Sequence, residues 1–440
     1  MTHIIAPVPG QNYTTINPVQ ITGVDTVGVV RTVGVVLDGS VLVTPGSGGA
    51  DAFGRMRVSA PATLLRLLYQ YDTQPLFMQF SNVGTGSTVK TTNESSLTLS
   101  TGGTASGASA IAQTKEYFAY EPGKSQLVMM SGLLGAQKAN VTARIGYYDV
   151  NNGVYFEQAG ATGLSVVIRT STSGSVVETR VPQASWNIDK MDGTGISGIT
   201  LDPTKTQIFA VDFEWLGAGR VRFGFFLNNV FMYCHTQAAA NTLVSPYTNT
   251  GCLPCRAEIF NTAVSASTTT MKLICLSVIS EGGQEKPVLL NFGASNGATG
   301  LATTTRRPIL SVRPKLLFAG QTNRGRIFLS DLTILTQGQG SVLYELVYNG
   351  TLTGSSFSSV DPNSLVEKDT SATAITGGTV YKVGYTSNNQ QVTQVDPLCR
   401  YPFTLDISGS VQDIITIVAT AVPTSNTPAV TASVSWEELR

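Results

Sequence analysis

At 440 residues the chain exceeds one ordinary hydrophobic core, which sets an expectation of two or three domains. Only 13% of residues are charged and glycine is abundant at 44, and with β-branched residues throughout, this composition reads as all-β. Lys+Arg and Asp+Glu both number 28, so there is no electrostatic footprint for nucleic acid or an anionic membrane.

Low charge gives weak colloidal repulsion, which suits a protein that lives inside an assembly. The opening "MTHIIAPVPG" has neither the basic start nor the apolar stretch of a signal peptide. No run approaches the roughly 18–20 apolar residues of a membrane helix. The five cysteines, Cys234, Cys252, Cys255, Cys275 and Cys399, are sparse and odd in number, as expected of a product of a reducing cytoplasm. No motif calls for a cofactor.

The first unit, residues 1–50, has only three formally charged side chains, Asp25, Arg31 and Asp38. Thr26–Val30 and Thr32–Val36 both read TVGVV. On a strand, Val27, Val29, Val33, Val35 and Leu37 share one face. A lone ribbon cannot bury that face. Two readings follow: an oligomeric stalk or docking arm, or strands folded onto the chain's own first domain. For the oligomer a homotrimer is favoured, because short strands around a three-fold axis close their own edges.

Residues 51–80 read as a linker and connecting motif. "TLLRLLYQYD" (63–72) and, further on, "ASAIAQTKEY" (108–117) predict short helices. From 81 to 285 strand follows strand, with turn signals such as "EPGK", "DVNNG" and "STSGS", a spacing that predicts a jelly-roll sandwich. "DVNNG" (149–153) resembles a calcium loop, but it lacks the later acidic ligands and reads as a tight turn.

The hairpin "IFAVDFEWLGAGRVRFGF" (208–225) places Phe209, Val211, Phe213 and Trp215 on one face and Asp212 and Glu214 on the other. A three-residue loop, Gly217-Ala218-Gly219, pairs Phe213 with Phe223 and Glu214 with Arg222. Asp212 and Glu214 then lie about 7 Å apart, a separation that a glycosidase acid pair also uses. The nearby arginines would lower a carboxyl pKa when an acid catalyst needs it raised. The favoured reading of Asp212, Glu214 and Arg222 is therefore an ion-pair or glycan-facing patch.

"CLPC" (252–255) raises redox or zinc chemistry. A redox pair needs a helix N-terminus, whereas Pro254 and "RAEIF" predict the start of a strand. Zinc needs two further ligands, and nothing in the spacing of Cys234, His235 or Cys275 demands them. The motif reads as structural, with no metal or catalytic residue assigned. A boundary at "QEKPVLLNFGASNGATG" leads to a second β-sandwich, residues 286–440. Its arginines in "TTTRRPILSVRPK" read as edge-strand or subunit contacts, with anion binding as the alternative. Its last strand puts Val430, Ala432, Val434 and Trp436 on a core face.

Several separated motifs carry a resemblance. "DAFGRMRVSAPATLL", "YEPGKSQLVMMSGLLGA", "RIGYYDVNNGVYFE", "FEWLGAGRVRFGF", "YCH", "LPCRAEI" and "ISEGG" together resemble a family of bacteriophage virion proteins. The resemblance spans roughly residues 24–285, and the motifs stand in the family's order. The family has an apolar residue near the second cysteine of "CLPC", and this chain departs there. The resemblance implies a lectin-like (concanavalin-like) jelly roll and a virion structural role as a fibre, collar or decoration subunit. It implies no catalytic residue.

The expected function is therefore a non-enzymatic virion subunit, made in the host cytoplasm. Its partners are its own copies and other capsid, neck or tail proteins. Two alternatives stand beside it: a receptor module that binds host glycans, and a tailspike depolymerase using Asp212 and Glu214.

Overall fold

The computed structural model describes residues 21–24, 30–33, 61–227, 230–282, 289–301, 305–387, 391–395, 403–422 and 427–440. Strands β1 (Ile21–Val24) and β2 (Val30–Val33) pair antiparallel, with Ile21 opposite Val33. Of the arm residues, Val33 ends β2, while Val27, Val29, Val35 and Leu37 lie outside the described residues.

The chain is all-β. Its first large unit runs β3 (Ala62–Leu68), β4 (Met78–Val83), β5 (Ser87–Thr91), β6 (Ser96–Ser100), β7 (Ser109–Thr114) and β8 (Ser125–Leu133). Then come β9 (Val141–Tyr148), β10 (Gly153–Ala159), β11 (Gly163–Thr170), β12 (Val177–Pro182), β13 (Gln207–Phe213) and β14 (Arg220–Leu227). It closes with β15 (Val230–Ala238), β16 (Cys255–Asn261) and β17 (Thr270–Glu281). Seven strands form one sheet in the order β12-β11-β10-β9-β16-β7-β4. The other sheet runs β15-β14-β13-β8-β17-β6-β5, with β3 added beside β17.

Alternation builds the core between these sheets. Ile145, Tyr147, Val154 and Phe156 from one sheet meet Val128, Met130, Phe209, Val211, Phe213, Phe223 and Phe225 from the other. Phe156 packs 4.9 Å from Phe225, 5.3 Å from Phe209 and edge-on to Phe223 at 5.5 Å. Each such aromatic pair adds roughly 0.5–1.5 kcal/mol beyond burial.

Three expectations are corrected. Residues 63–72 and 108–117 are not helices, because β3 and β7 occupy them. β3 is drawn into extended form by pairing along β17, and β7 lies between β4 and β16, where its Ala110 and Ala112 are buried. The sandwich accordingly begins at Ala62, inside the stretch read as a 51–80 linker.

The second unit is also a sandwich. Leu290–Gly300, Ala429–Leu439, Arg326–Gln337 and Gln391–Val395 make a four-stranded sheet. Ser358–Ser359, Val366–Asp369, Arg307–Pro314, Ile415–Ala421, Ser341–Tyr348 and Thr379–Ser387 make a six-stranded one. Val430, Ala432, Val434 and Trp436 face its core, as their alternation predicts. Among its arginines, Arg306 pairs with Glu345 at 2.8 Å, Arg313 with Glu367 at 2.9 Å, and Arg307 donates to Thr373 O. All three make contacts inside their own unit.

Polar contacts join the two units. Lys115 Nζ donates to the Tyr348 hydroxyl at 3.1 Å, Gln79 Nε2 to Leu405 O at 3.3 Å, and Arg326 is ion-paired with Glu116. Leu76 packs against the second core.

Candidate functional site

The outer face of the seven-stranded sheet carries a lattice of charge set by register. Arg144 on β9 stands directly between Glu157 on β10 and Glu258 on β16. Its Nε donates to Glu157 at 2.7 Å and its Nη1 to Glu258 at 2.9 Å. Arg169 and Glu178 are partners across β11 and β12, and Arg169 Nε donates to Glu178 at 2.9 Å. Arg180 donates to Glu157 at 2.8 Å, and Arg256 to Glu258 at 2.8 Å. The guanidiniums of Arg144 and Arg169 lie 5.3 and 5.2 Å over the Tyr155 ring. Gly146 makes room in this layer: a Cβ there would sit 2.6 Å from Tyr155 Cα.

This lattice lines a cleft of about 420 Å³ with Arg144, Arg169, Glu178, Arg256, Glu258 and Phe260. Burial alone would raise the Glu178 carboxyl, but Arg144 beside it and hydrogen bonds from Arg169 and Tyr155 bring it down to about 2. Burial is likewise outweighed at Glu258 by Arg256 and Arg144, which hold it below the usual carboxylate range. A glycosidase acid needs the opposite shift. The face is a locked polar platform whose groups already hold one another.

Asp212 and Glu214 are not a surface pair. Asp212 is fully buried, and its Oδ2 accepts Arg222 Nη2 and the Tyr233 hydroxyl, each at 2.5 Å, while Oδ1 accepts Ser125 at 2.8 Å. The register pairs Asp212 with Arg222 and Phe213 with Val221, which corrects the expected Glu214–Arg222 and Phe213–Phe223 partners. The reason is where the loop closes: Gly219 N donates to Trp215 O at 3.0 Å and Glu214 N to Arg220 O at 3.1 Å, so the three-residue loop is Leu216-Gly217-Ala218, one residue earlier than expected, and Glu214 stands opposite Arg220.

Cys255 begins β16 with its side chain in the sandwich core, and burial pushes its thiol pKa up, the reverse of a redox cysteine. Cys252, Cys255, Cys234 and Cys275 are all free. Among the described residues, no three His, Cys, Asp or Glu side chains are grouped to hold a metal ion. The Asp149 loop is a tight turn. Asp149 Oδ1 accepts the amides of Asn151 and Asn152 at 2.8 Å each, and Asn152 Oδ1 takes the Asn249 amide at 3.0 Å.

That turn forms one wall of a second cleft, of about 580 Å³, between the two units. The first unit contributes Tyr117, Tyr120, Asp149, Asn151, Asn249 and Cys252. The second contributes Phe318, Gln321, Arg324, Arg326, Ser408 and Arg440. Tyr117 and Tyr120 are buried and Phe318 half-buried, so aromatic rings form part of the wall. Asn151, Asn249 and Gln321 are exposed. Sequence reading missed this site because its walls lie about 200 residues apart in the chain, and the motifs that reach it, "DVNNG" and "CLPC", read as a turn and a core segment. The alternation Arg144-Gly146-Tyr148 and Arg256-Glu258 was a usable signal for the charged face.

No protein-family model and no curated protein matches this chain. Among solved structures it is similar to a legume lectin-like domain from Entamoeba histolytica, with 10% identity, a TM-score of 0.30, and coverage of 50% of this chain and 98% of that one. The Emp47p carbohydrate recognition domain gives 11% identity, a TM-score of 0.31, and coverage of 50% and 97%. A glycosyl hydrolase family protein from Mycobacterium fortuitum gives 8%, 0.34, and coverage of 49% and 99%. The sheet order and register above establish the sandwich without reference to these neighbours.

Proposed function

We propose that this chain is a non-catalytic carbohydrate-binding protein that seats a glycan in the cleft between its two sandwiches. One observation carries the reading: an aromatic ring and exposed amides converge there from both units. Phe318 offers apolar surface to the C–H face of a sugar, and Asn151, Asn249 and Gln321 offer hydrogen bonds to its hydroxyls. The volume fits, since small-ligand sites usually span about 300–1,000 Å³.

The absence of catalysis rests on charge. The carboxylates of the sheet-face cleft are held ionised by arginines, and Asp212 is sealed inside a hydrogen-bonded cluster. The sequence resemblance to bacteriophage virion proteins supplies the setting, a trimeric appendage subunit that meets host surface glycans and docks through its N-terminal residues.

The test is a glycan array probed with the full chain, with reducing ends assayed on every glycan that binds. Binding without release of reducing ends is expected. No binding across the array overturns the glycan reading, and released ends overturn the non-catalytic one.

A further inference from the structure

The charges around the inter-unit cleft are unevenly placed. Three guanidiniums, Arg324, Arg326 and Arg440, line it against one carboxylate, Asp149. The glutamates that balance two of them stand behind the wall: Glu116 pairs with Arg326, and Glu438 Oε2 takes Arg440 Nη2 at 3.1 Å. Glu438 is itself buried and already accepts Ser364 at 2.6 Å, the Leu365 amide at 2.9 Å and the Trp436 indole at 2.8 Å.

Arg324 has no carboxylate partner among the described residues. Its Nη1 donates to Leu405 O at 3.2 Å and Asp406 O at 2.8 Å, its Nη2 to Ile407 O at 3.1 Å, and its guanidinium lies 4.5 Å over the Tyr117 ring. Three of five N–H donors are spent on neutral carbonyls. Two donors remain, and the ring and carbonyl dipoles offset the charge only in part. Arg440 stacks 4.6 Å over Phe318, with a single nitrogen engaged to a carboxylate.

Resting on the glycan reading above, we infer that the saccharide bound in this cleft is acidic, with a carboxylate held by Arg324 and supported by Arg440. A neutral sugar closing the cleft would cover the Arg324 charge without compensating it, which is unfavourable for any buried cation. A sugar carboxylate compensates it through charge-assisted hydrogen bonds, for which the planar guanidinium is the matched donor. Asp149, Asn151 and Asn249 on the facing unit then meet the hydroxyls. The ring lies against Phe318.

Isothermal titration of the full chain tests this with trigalacturonic acid and a hyaluronan tetrasaccharide, each as the free acid and as its methyl ester, and with neutral galactotriose. At least one acid is expected to bind about tenfold or more tighter than its own ester, the scale of a hydrogen bond to a charged group. Arg324→Gln and Arg440→Gln should each shrink that ratio. Arg440→Gln leaves the carbonyl contacts of Arg324 in place, so it separates charge from loop structure. Esters or galactotriose binding as tightly as the acids overturn the acidic ligand and leave the glycan reading standing. Five titrations without heat overturn the acidic ligand, and an array without binding overturns the glycan reading with it.

Discussion

Asp212 and Arg222 are direct partners across β13 and β14, with Oδ2 2.5 Å from Nη2 and both side chains buried. The Arg222 guanidinium also lies 4.2 Å over the Tyr233 ring, whose hydroxyl bonds the same carboxylate oxygen. The cluster pins three consecutive strands of the eight-stranded sheet together at one point.

Removing one partner of such a pair leaves a buried charge uncompensated, at a cost of about 3–5 kcal/mol. Asp212→Ala should therefore lower the urea midpoint of the first sandwich strongly. Glu214→Gln, beyond the buried cluster, should change it far less. If the two variants unfold alike, Asp212 does not have this structural role.

The sheet-face lattice predicts acid sensitivity. Glu178 is shifted down from 4.5 to about 2 in the folded chain. A depressed carboxylate contributes stability that is complete above its unfolded value and disappears as pH falls through the folded one. Thermal midpoints should therefore decline between about pH 4.5 and pH 2. Arg144→Gln should start lower at neutral pH and decline less on acidification, because Arg144 is the main charge holding Glu178 down. Parallel declines for the two proteins would place the titrating groups elsewhere.

Thiol chemistry gives a third prediction. Burial raises the pKa of both Cys234 and Cys255, so neither should react with iodoacetamide at pH 8 until denaturant is added. Peptide mass spectrometry reads this directly. Zinc should leave the thermal midpoint unchanged, and labelling of native Cys255 or stabilisation by zinc would reopen "CLPC" as a reactive site.

Oligomerisation gives a fourth. Light scattering should give a trimer for the full chain and a monomer for a chain beginning at Asp51. A monomer in both cases would make the N-terminal residues a docking segment for a different protein, not a stalk.

Legibility from sequence followed the physics of each segment. Phe209, Val211 and Phe213 were readable as core because strict alternation has one solution on a half-buried strand. The same holds for Val430 through Trp436. β3 was misread because "TLLRLL" satisfies helical and strand periods alike, and pairing with β17 decides between them. β7 was misread because alanine favours helices, yet Ala110 and Ala112 lie on a strand and are buried in the core between the sheets. The hairpin register failed because the loop is Leu216-Gly217-Ala218 and not Gly217-Ala218-Gly219, which puts Leu216 at a positive φ of 34° that leucine rarely adopts. The inter-unit cleft joins Asp149 to Arg324 only through the packing of two domains. Periodicity carries no information about that.

The central claim is the place where glycan binds. Hydrogen exchange of the full chain, with and without a saturating glycan chosen from the array, tests it most directly. The account predicts protection in residues 117–120, 149–152, 249–252 and 318–326, the walls of the cleft. Protection confined to β9, β10 and β16, or to the first 50 residues, would contradict it.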